Sequence, residues 1–331
     1  MSDIILELTR NGVVENTIRG HAVMADKNGF TTLKGDPDRF FYLRSTGKLL
    51  QVLPLLMDGI DKHFGFNEKE IALMCASHYG EPEHIETVKS ILNKIGLDET
   101  AIKAGITNSI SAEYAAELLC SGTTLSTLHG DCSGKHAGML AYCIYHNLSI
   151  EDYLDVNHPM QQRILNVIAE MADFPSDQIV IGLDGCSAPN FALPLSATAR
   201  AYQRLTSPNT LIEDENLKQA CLTVCKSVSA EPFMISGTKG FCTLLIESTK
   251  GRIIGKTGAE AIFGLGFTDK EIGMAFKVEC GNKHLIPNFV VSVLKSMNLL
   301  LPEELEAMSR YDNEQRYTDN KEAVGVIRYF E

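Results

Sequence analysis

The sequence predicts a mixed α/β protein of the α+β kind, with a mainly antiparallel sheet drawn from both chain ends and a large helical lobe inserted between. Three observations carry this: β-like runs crowd the stretch before Phe40, helical periodicity dominates from Ser45 to about residue 229, and β-like runs return after Gly240. No Pro/Ser-rich linker, internal repeat or low-complexity tract interrupts the pattern. The chain therefore reads as a single unit with two lobes, a sheet lobe from about residues 1–44 plus 235–331 and a helical lobe from about 45–234.

Alternating apolar residues mark strands at Ile4–Leu8, Val13–Ile18, His21–Ala25 and Thr31–Leu33, with turn dipeptides at Asn11-Gly12 and Asn28-Gly29. Helices are expected at 45–63, 67–76, 82–95, 111–120, 133–147, 158–173, 194–205 and 214–229, the first bent by Pro54. Strands resume at Gly240–Ser248 and Arg252–Thr257 around the Lys250-Gly251 turn, then at Met274–Cys280. Helices at about 287–298 and 302–310 and a strand at Val324–Tyr329 finish the chain.

The 331 residues are 44% hydrophobic and 22% charged, an ordinary globular mix. A net charge of −12 offers nucleic acid or anionic membrane no electrostatic attraction. No apolar run is long enough to span a bilayer, and Met1-Ser2-Asp3-Ile4-Ile5-Leu6 lacks the basic-then-apolar order of a secretory signal, so a cytoplasmic location is expected. Nine scattered cysteines fit reduced thiols better than a disulfide framework.

Two serine–lysine elements point to acyl transfer. In Arg44-Ser45-Thr46-Gly47-Lys48 the lysine stands one helical turn after the serine, and a nearly unbroken apolar stretch follows, so Lys48 starts a core helix. A serine hydroxyl needs a base within reach, and a buried lysine without a role is costly. Lys256-Thr257-Gly258 closes a strand-like run, where Gly258 permits close backbone approach; a lysine there is otherwise an edge guard against aggregation. Ser-x-x-Lys followed by Lys-Thr-Gly marks the penicillin-recognising serine enzymes. Cys75-Ala76-Ser77-His78 ends a helix before Gly80, while His78 and His84 match no usual zinc spacing and read as structural. Cys132, Lys135 and His136 share one helical flank, and Asp184-Gly185-Cys186 forms a second polar loop. If the two meet, Cys132 and Cys186 are placed to share a soft metal or a labile disulfide.

With these segments assembled, the chain resembles the L-asparaginase II family of the inducible, thermolabile Rhizobium etli type. The likeness runs through Val14-Glu15-Asn16 to Arg19-Gly20, Arg44–Lys48 with Gln51 to Pro54, Cys75–His78 with Gly80–His84, Cys132–Met139, Asp184-Gly185-Cys186 with Pro189, Lys256–Glu260 and Val324-Gly325. It implies a fold like serine β-lactamases and glutaminases, a homodimer, and hydrolysis of the side-chain amide of asparagine to aspartate and ammonia. It further implies two tandems, Ser45 with Lys48 and Ser77 with Lys256, and a zinc ion held by Cys132, Lys135 and Cys186 with Asp184 in support. Arg44, His136, Asp184 and Glu260 are the expected substrate contacts. A lysine ligand must be a neutral amine, so the metal has to depress its pKa.

The expected scheme has Ser45 attack the amide while neutral Lys48 takes its proton, the crowded cations Lys48, Lys135, Lys256 and Arg44 depressing one another's pKa. Ser77 with Lys256 then passes a proton to departing ammonia. Departures from the family pattern bear on the substrate. Lys48-Leu49-Leu50 replaces Lys-Pro-Phe, Tyr79 stands where a small residue is usual, and Ser236-Gly237-Thr238-Lys239-Gly240 replaces a Gly-Thr-Gly-Arg-type loop. They leave open a β-lactamase-like or peptidase activity and a catalytically idle amino-acid-binding protein.

Overall fold

Alternation in the first residues does build strands, described, like all of residues 1–331, by a computed structural model. β1 (Asp3–Arg10) turns through Asn11 and Gly12, both at positive φ, into β2 (Val13–Asp26), and β3 (Gly29–Lys34) folds back on it. The two runs expected at 13–18 and 21–25 are thus a single strand. β4 (Phe40–Tyr42), β5 (Val180–Leu183) and β6 (Pro189–Pro194) make a separate three-stranded sheet in the order β4-β6-β5, which the sequence did not announce. β7 (Ile253–Gly258), β8 (Ile262–Phe267), β9 (Gly273–Val278), β10 (Glu314–Tyr317) and β11 (Ala323–Tyr329) complete the main sheet. Its order is β10-β11-β1-β2-β9-β8-β7, with β3 on β2 and every pairing antiparallel, so the two chain ends meet in one sheet as expected.

The helix expected over 45–63 is a 3₁₀ turn, Arg44–Gly47, then α1 (Lys48–Gln51), α2 (Leu53–Met57) and α3 (Ile60–Phe64). Pro54 sits in the first turn of α2, where its missing N–H costs nothing, and Gly59 at φ +70° separates α2 from α3. α4 (Glu68–Met74), α5 (Pro82–Lys94), α6 (Ala112–Ser121), α7 (Ser133–Tyr145) and α8 (Pro159–Ala172) follow. Then come α9 (Leu195–Thr206), α10 (Pro208–Leu211), α11 (Glu215–Ala230), α12 (Pro232–Ser236), α13 (Phe241–Ser248), α14 (Ile286–Ser296) and α15 (Pro302–Ala307). α13 overturns the strand expected at Gly240–Ser248. Phe241, Cys242, Leu245 and Ile246 are buried at helical spacing, and a short apolar run does not by itself separate strand from helix.

Neighbouring strand positions face opposite sides, and the two faces of the main sheet are covered differently. Ala275 packs with Ala199 of α9, whereas Phe276 stacks edge-on against Phe289 of α14. α9 thus lies on the sheet although its sequence falls in the helical stretch. A contiguous apolar core runs from Ile5 to Met308. Gly264 leaves room for the Tyr202 ring, whose hydroxyl donates to the Thr46 carbonyl at 2.9 Å and ties α9 to the turn carrying Ser45.

That turn also rests against the end of β7. A methyl group added at Gly258 would lie 2.6 Å from Ile262 Cγ2, 3.0 Å from the Leu43 carbonyl oxygen and 3.2 Å from Arg44 Cβ. Gly258→Ala should therefore cost about 1–3 kcal/mol of stability by overpacking. Denaturant titration checks this, and an unchanged midpoint would mean that strand and turn separate freely.

Candidate active site

A cavity of about 590 Å³ opens where the Ser45 turn, the segment after α4 and the end of β7 meet, lined by Ser45, Ser77, Asp131, Lys256 and Thr257 among others. Ser77 sits in extended chain beyond α4, whose start is fixed by a capping box between Asn67 and Glu70. Its amide donates to the Ile235 carbonyl at 3.0 Å, and the next residue, buried His78, braces the segment against α7. Ser133 donates its hydroxyl to the Leu128 carbonyl, so His78 Nε2–H donates to Ser133 Oγ at 2.8 Å while Nδ1 accepts from the Gly80 amide at 3.1 Å. Burial, and then neighbouring His84, hold His78 well below the usual histidine range, hence neutral. The structural reading of both histidines fits this packing: His84 stacks on Phe233.

Two buried lysines converge on Ser77. Lys48 Nζ lies 3.0 Å from Ser77 Oγ and also reaches the Ala76 carbonyl at 2.7 Å, the Asp131 carbonyl at 3.2 Å and Asp131 Oδ2 at 3.5 Å. Lys256 Nζ lies 2.9 Å from the same hydroxyl and 2.9 Å from the Thr257 carbonyl. Lys256 is on the edge strand β7 but only 1% exposed, so it is no aggregation guard. Their charges diverge. Burial works to discharge Lys48, yet the nearby Cys132 sulfur and the Asp131 carboxylate outweigh it and the pKa rises. Burial, joined by repulsion from Lys48, pulls Lys256 down to about 8. Of the three lysines clustered here, the mutual depression expected from sequence therefore holds for Lys256 alone, since Lys135 also rises.

Ser45 lines the same cavity, half-buried, and its hydroxyl makes no hydrogen bond to another protein group. The direct Ser45–Lys48 bond expected from their spacing is not formed. The residues between them are a 3₁₀ turn, and Lys48 extends to the Ala76–Ser77 segment instead.

The cysteine–lysine block and the 184–186 loop do come together. Lys135 Nζ lies 3.0 Å from Cys186 Sγ, and Cys132 Sγ lies 3.7 Å from Asp131 Oδ2. The Cys132 and Cys186 thiols act on each other, which with burial pushes Cys132 up, while the same contact and Lys135 pull Cys186 down. Burial opposes the charge on Lys135, but the two sulfurs outweigh it. All nine cysteines are free thiols. His136 pairs at Nδ1 with Tyr153 Oη at 2.7 Å, and the Cys186 sulfur acts on the same ring. No three His, Cys, Asp or Glu side chains form a metal-binding group here. The two sulfurs are donors that zinc accepts, and Lys135 fits beside them only once its amine has lost a proton.

The expected substrate contacts lie outside the cavity lining. Arg44, at φ +49°, donates from Nε to Asp184 Oδ1 at 2.8 Å, and its amide donates to Asn190 Oδ1 on β6, so the small sheet holds both residues. His136 is fully buried beside Tyr153, and Glu260 is exposed, its carboxylate beside Gly281. Sequence reasoning missed Asp131 as the partner of Lys48, although it is the sole acid of its block. It also missed Cys242, whose sulfur accepts from the Thr257 amide at 3.2 Å, because its helix read as a strand.

Comparison with known proteins follows from this arrangement. No curated protein matches the chain. Among solved structures, Mglu in its L-glutamate-binding form is similar over 86% of this chain and 62% of its own, at 11% identity and TM-score 0.46; the chain thus spans under two thirds of that protein. The class C beta lactamase from Rhodobacter sphaeroides is similar over 85% of this chain and 95% of its own, at 11% identity and TM-score 0.44. Likeness of this degree bears on neither substrate nor mechanism. The sequence pattern of L-asparaginase II matches residues 6–329, nearly end to end, and the chain belongs to the L-asparaginase II family.

Proposed function

We propose that this amidohydrolase cleaves the side-chain amide of L-asparagine to L-aspartate and ammonia through a serine ester. One observation carries the reading: the Ser77 hydroxyl lies within hydrogen-bond reach of two buried lysines whose pKa values are shifted in opposite directions, in a cavity that also presents a free serine hydroxyl. Ser45 is the nucleophile because its oxygen is unbonded and faces the cavity, whereas Ser77 is 6% exposed and already engaged.

Lys48 at rest is an ammonium and no base. The scheme with a resting neutral Lys48 is therefore replaced by a relay: Lys48 passes a proton to Ser77, and Ser77 passes its own to the Lys256 amine. Lys48, now neutral, takes the Ser45 proton as the substrate closes the gap; such contacts often tighten only in the complex. Running backwards, the relay protonates the nitrogen as the C–N bond breaks. Water then hydrolyses the ester by the same proton path.

Cys132, Lys135 and Cys186 would hold a zinc ion. Bound there, it would supply fixed positive charge close to the substrate carboxylate. Lys135 and Cys132 each carry a proton that such binding must expel, so affinity should rise with pH. Supplementing metal-stripped protein with zinc should lower KM for asparagine with little change in kcat, measured by coupled ammonia release; an abolished kcat in stripped protein would contradict a positioning role.

Ser45→Ala should cut kcat by at least about a thousandfold, the scale of losing a nucleophile, and so should Lys256→Ala. Single-turnover assays would show an ester accumulating in neither. Near-normal ammonia release by Ser45→Ala would move the nucleophile to Ser77.

The relay needs neutral Lys256, which is charged below its pKa and free above it. kcat/KM should therefore climb as pH rises through about 8, and a profile flat from pH 6 to 9 would refute the relay.

A further inference from the structure

Resting on the asparagine reading, we infer that the same site also hydrolyses β-aspartyl dipeptides whose second residue is apolar, releasing an amino acid where asparagine releases ammonia. The cavity's volume, about 590 Å³, lies within the ~300–1,000 Å³ typical of sites for drug-sized ligands, more than a single small amino acid needs. Its depth is graded: Ser77 and Lys256 are buried at the inner end, while Lys283 and Arg310 line the cavity at its exposed rim.

The charges along that path are unequally matched. Asp131 faces Lys48, Glu113 pairs with Lys239 at 3.0 Å, and Glu314 accepts from the Asn288 amide at 2.8 Å. Lys283 meets only the Ile110 carbonyl, at 3.4 Å, and Arg310 donates to the Tyr311 hydroxyl and stacks over its ring. Neither has a carboxylate partner within salt-bridge distance, in a protein whose net charge is −12. The lining also carries apolar and aromatic side chains, Tyr79, Ile110, Phe241 and Ile286 among them. Tyr79 is the residue that stands where the family pattern has a small one, and it packs against Gly237 of the altered 236–240 loop. Carboxylate-binding cations without acid partners, in a lining that also offers apolar side chains, suit a leaving group that carries both an apolar side chain and a carboxylate.

The chemistry needs nothing new. Ser45 Oγ forms the ester with the aspartyl side-chain carbonyl, the amide C–N bond breaks, and the relay gives the leaving nitrogen its proton. The second residue departs as a free α-amine, and water releases aspartate from the serine.

The test compares asparagine, β-L-aspartyl-L-leucine and β-L-aspartyl-L-leucinamide, following ammonia or leucine release. The dipeptide should be cleaved, its leucinamide analogue about tenfold or more less efficiently in kcat/KM, as expected for loss of one charge-assisted contact. In Lys283→Ala and Arg310→Ala the ratio of dipeptide to asparagine kcat/KM should fall at least about tenfold. Asparagine cleavage without dipeptide cleavage overturns the inference and leaves the asparagine reading standing; the reverse sinks that reading and keeps the inference. Cleavage of neither refutes both. An unchanged ratio in the rim variants, with both substrates falling alike, would place those cations on the aspartyl carboxylate and overturn the inference.

Discussion

Two lysine side chains share one serine oxygen inside the protein, and the rest of the site is arranged around the cost of that placement. Each Nζ lies within about 3 Å of Ser77 Oγ, so the two amines are less than about 6 Å apart. Were both charged, an effective dielectric of about 20 would set their repulsion near 3 kcal/mol, or about two pKa units. Burial alone already disfavours either charge. A fold that keeps both amines here must let one of them be neutral.

Hydrogen bonding decides which. Lys48 finds the Ala76 carbonyl, the Asp131 carbonyl and carboxylate, and Ser77 around it, enough acceptors for all three ammonium protons. Lys256 has only the Thr257 carbonyl besides Ser77, too few acceptors for three ammonium protons, which fits an amine whose lone pair accepts the Ser77 hydroxyl proton. The count of acceptors and the direction of the pKa shifts are separate observations, and they agree. The asymmetry comes from the chain: Asp131 precedes the N-terminus of α7, and β7 offers no comparable acid.

Much of this was legible because some residues have few other uses. Asn11-Gly12 requires positive φ and gave the first hairpin, and a lysine opening an unbroken apolar stretch had to be buried. Convergence of the Ser-x-x-Lys, Ser77 and Lys-Thr-Gly segments was legible only through the family resemblance. Pairing was not. Spacing of three residues implies a shared helix face, but the 3₁₀ turn at Arg44–Gly47 and the reach of a long side chain carried Lys48 to a serine 29 residues away. The small sheet, β8 and α13 were hidden for a different reason. Their short or glycine-rich apolar segments carry no period that separates strand from helix, so tertiary packing alone decides them.

Net charge and local charge point in opposite directions, and this bears on access to the site. A chain at −12 repels an anionic amino acid at long range, by an amount that salt screens over about 8–10 Å. Within the cavity, each acid is turned to a partner: Asp131 to Lys48, Glu113 to Lys239 and Glu314 to Asn288. What an entering ligand meets at the exposed end is therefore cation without a carboxylate partner, at Lys283 and Arg310. Field lines confined by low-dielectric walls weigh such near charges more than the distant surface. The site can thus hold a carboxylate-bearing substrate in a protein whose overall charge would turn it away.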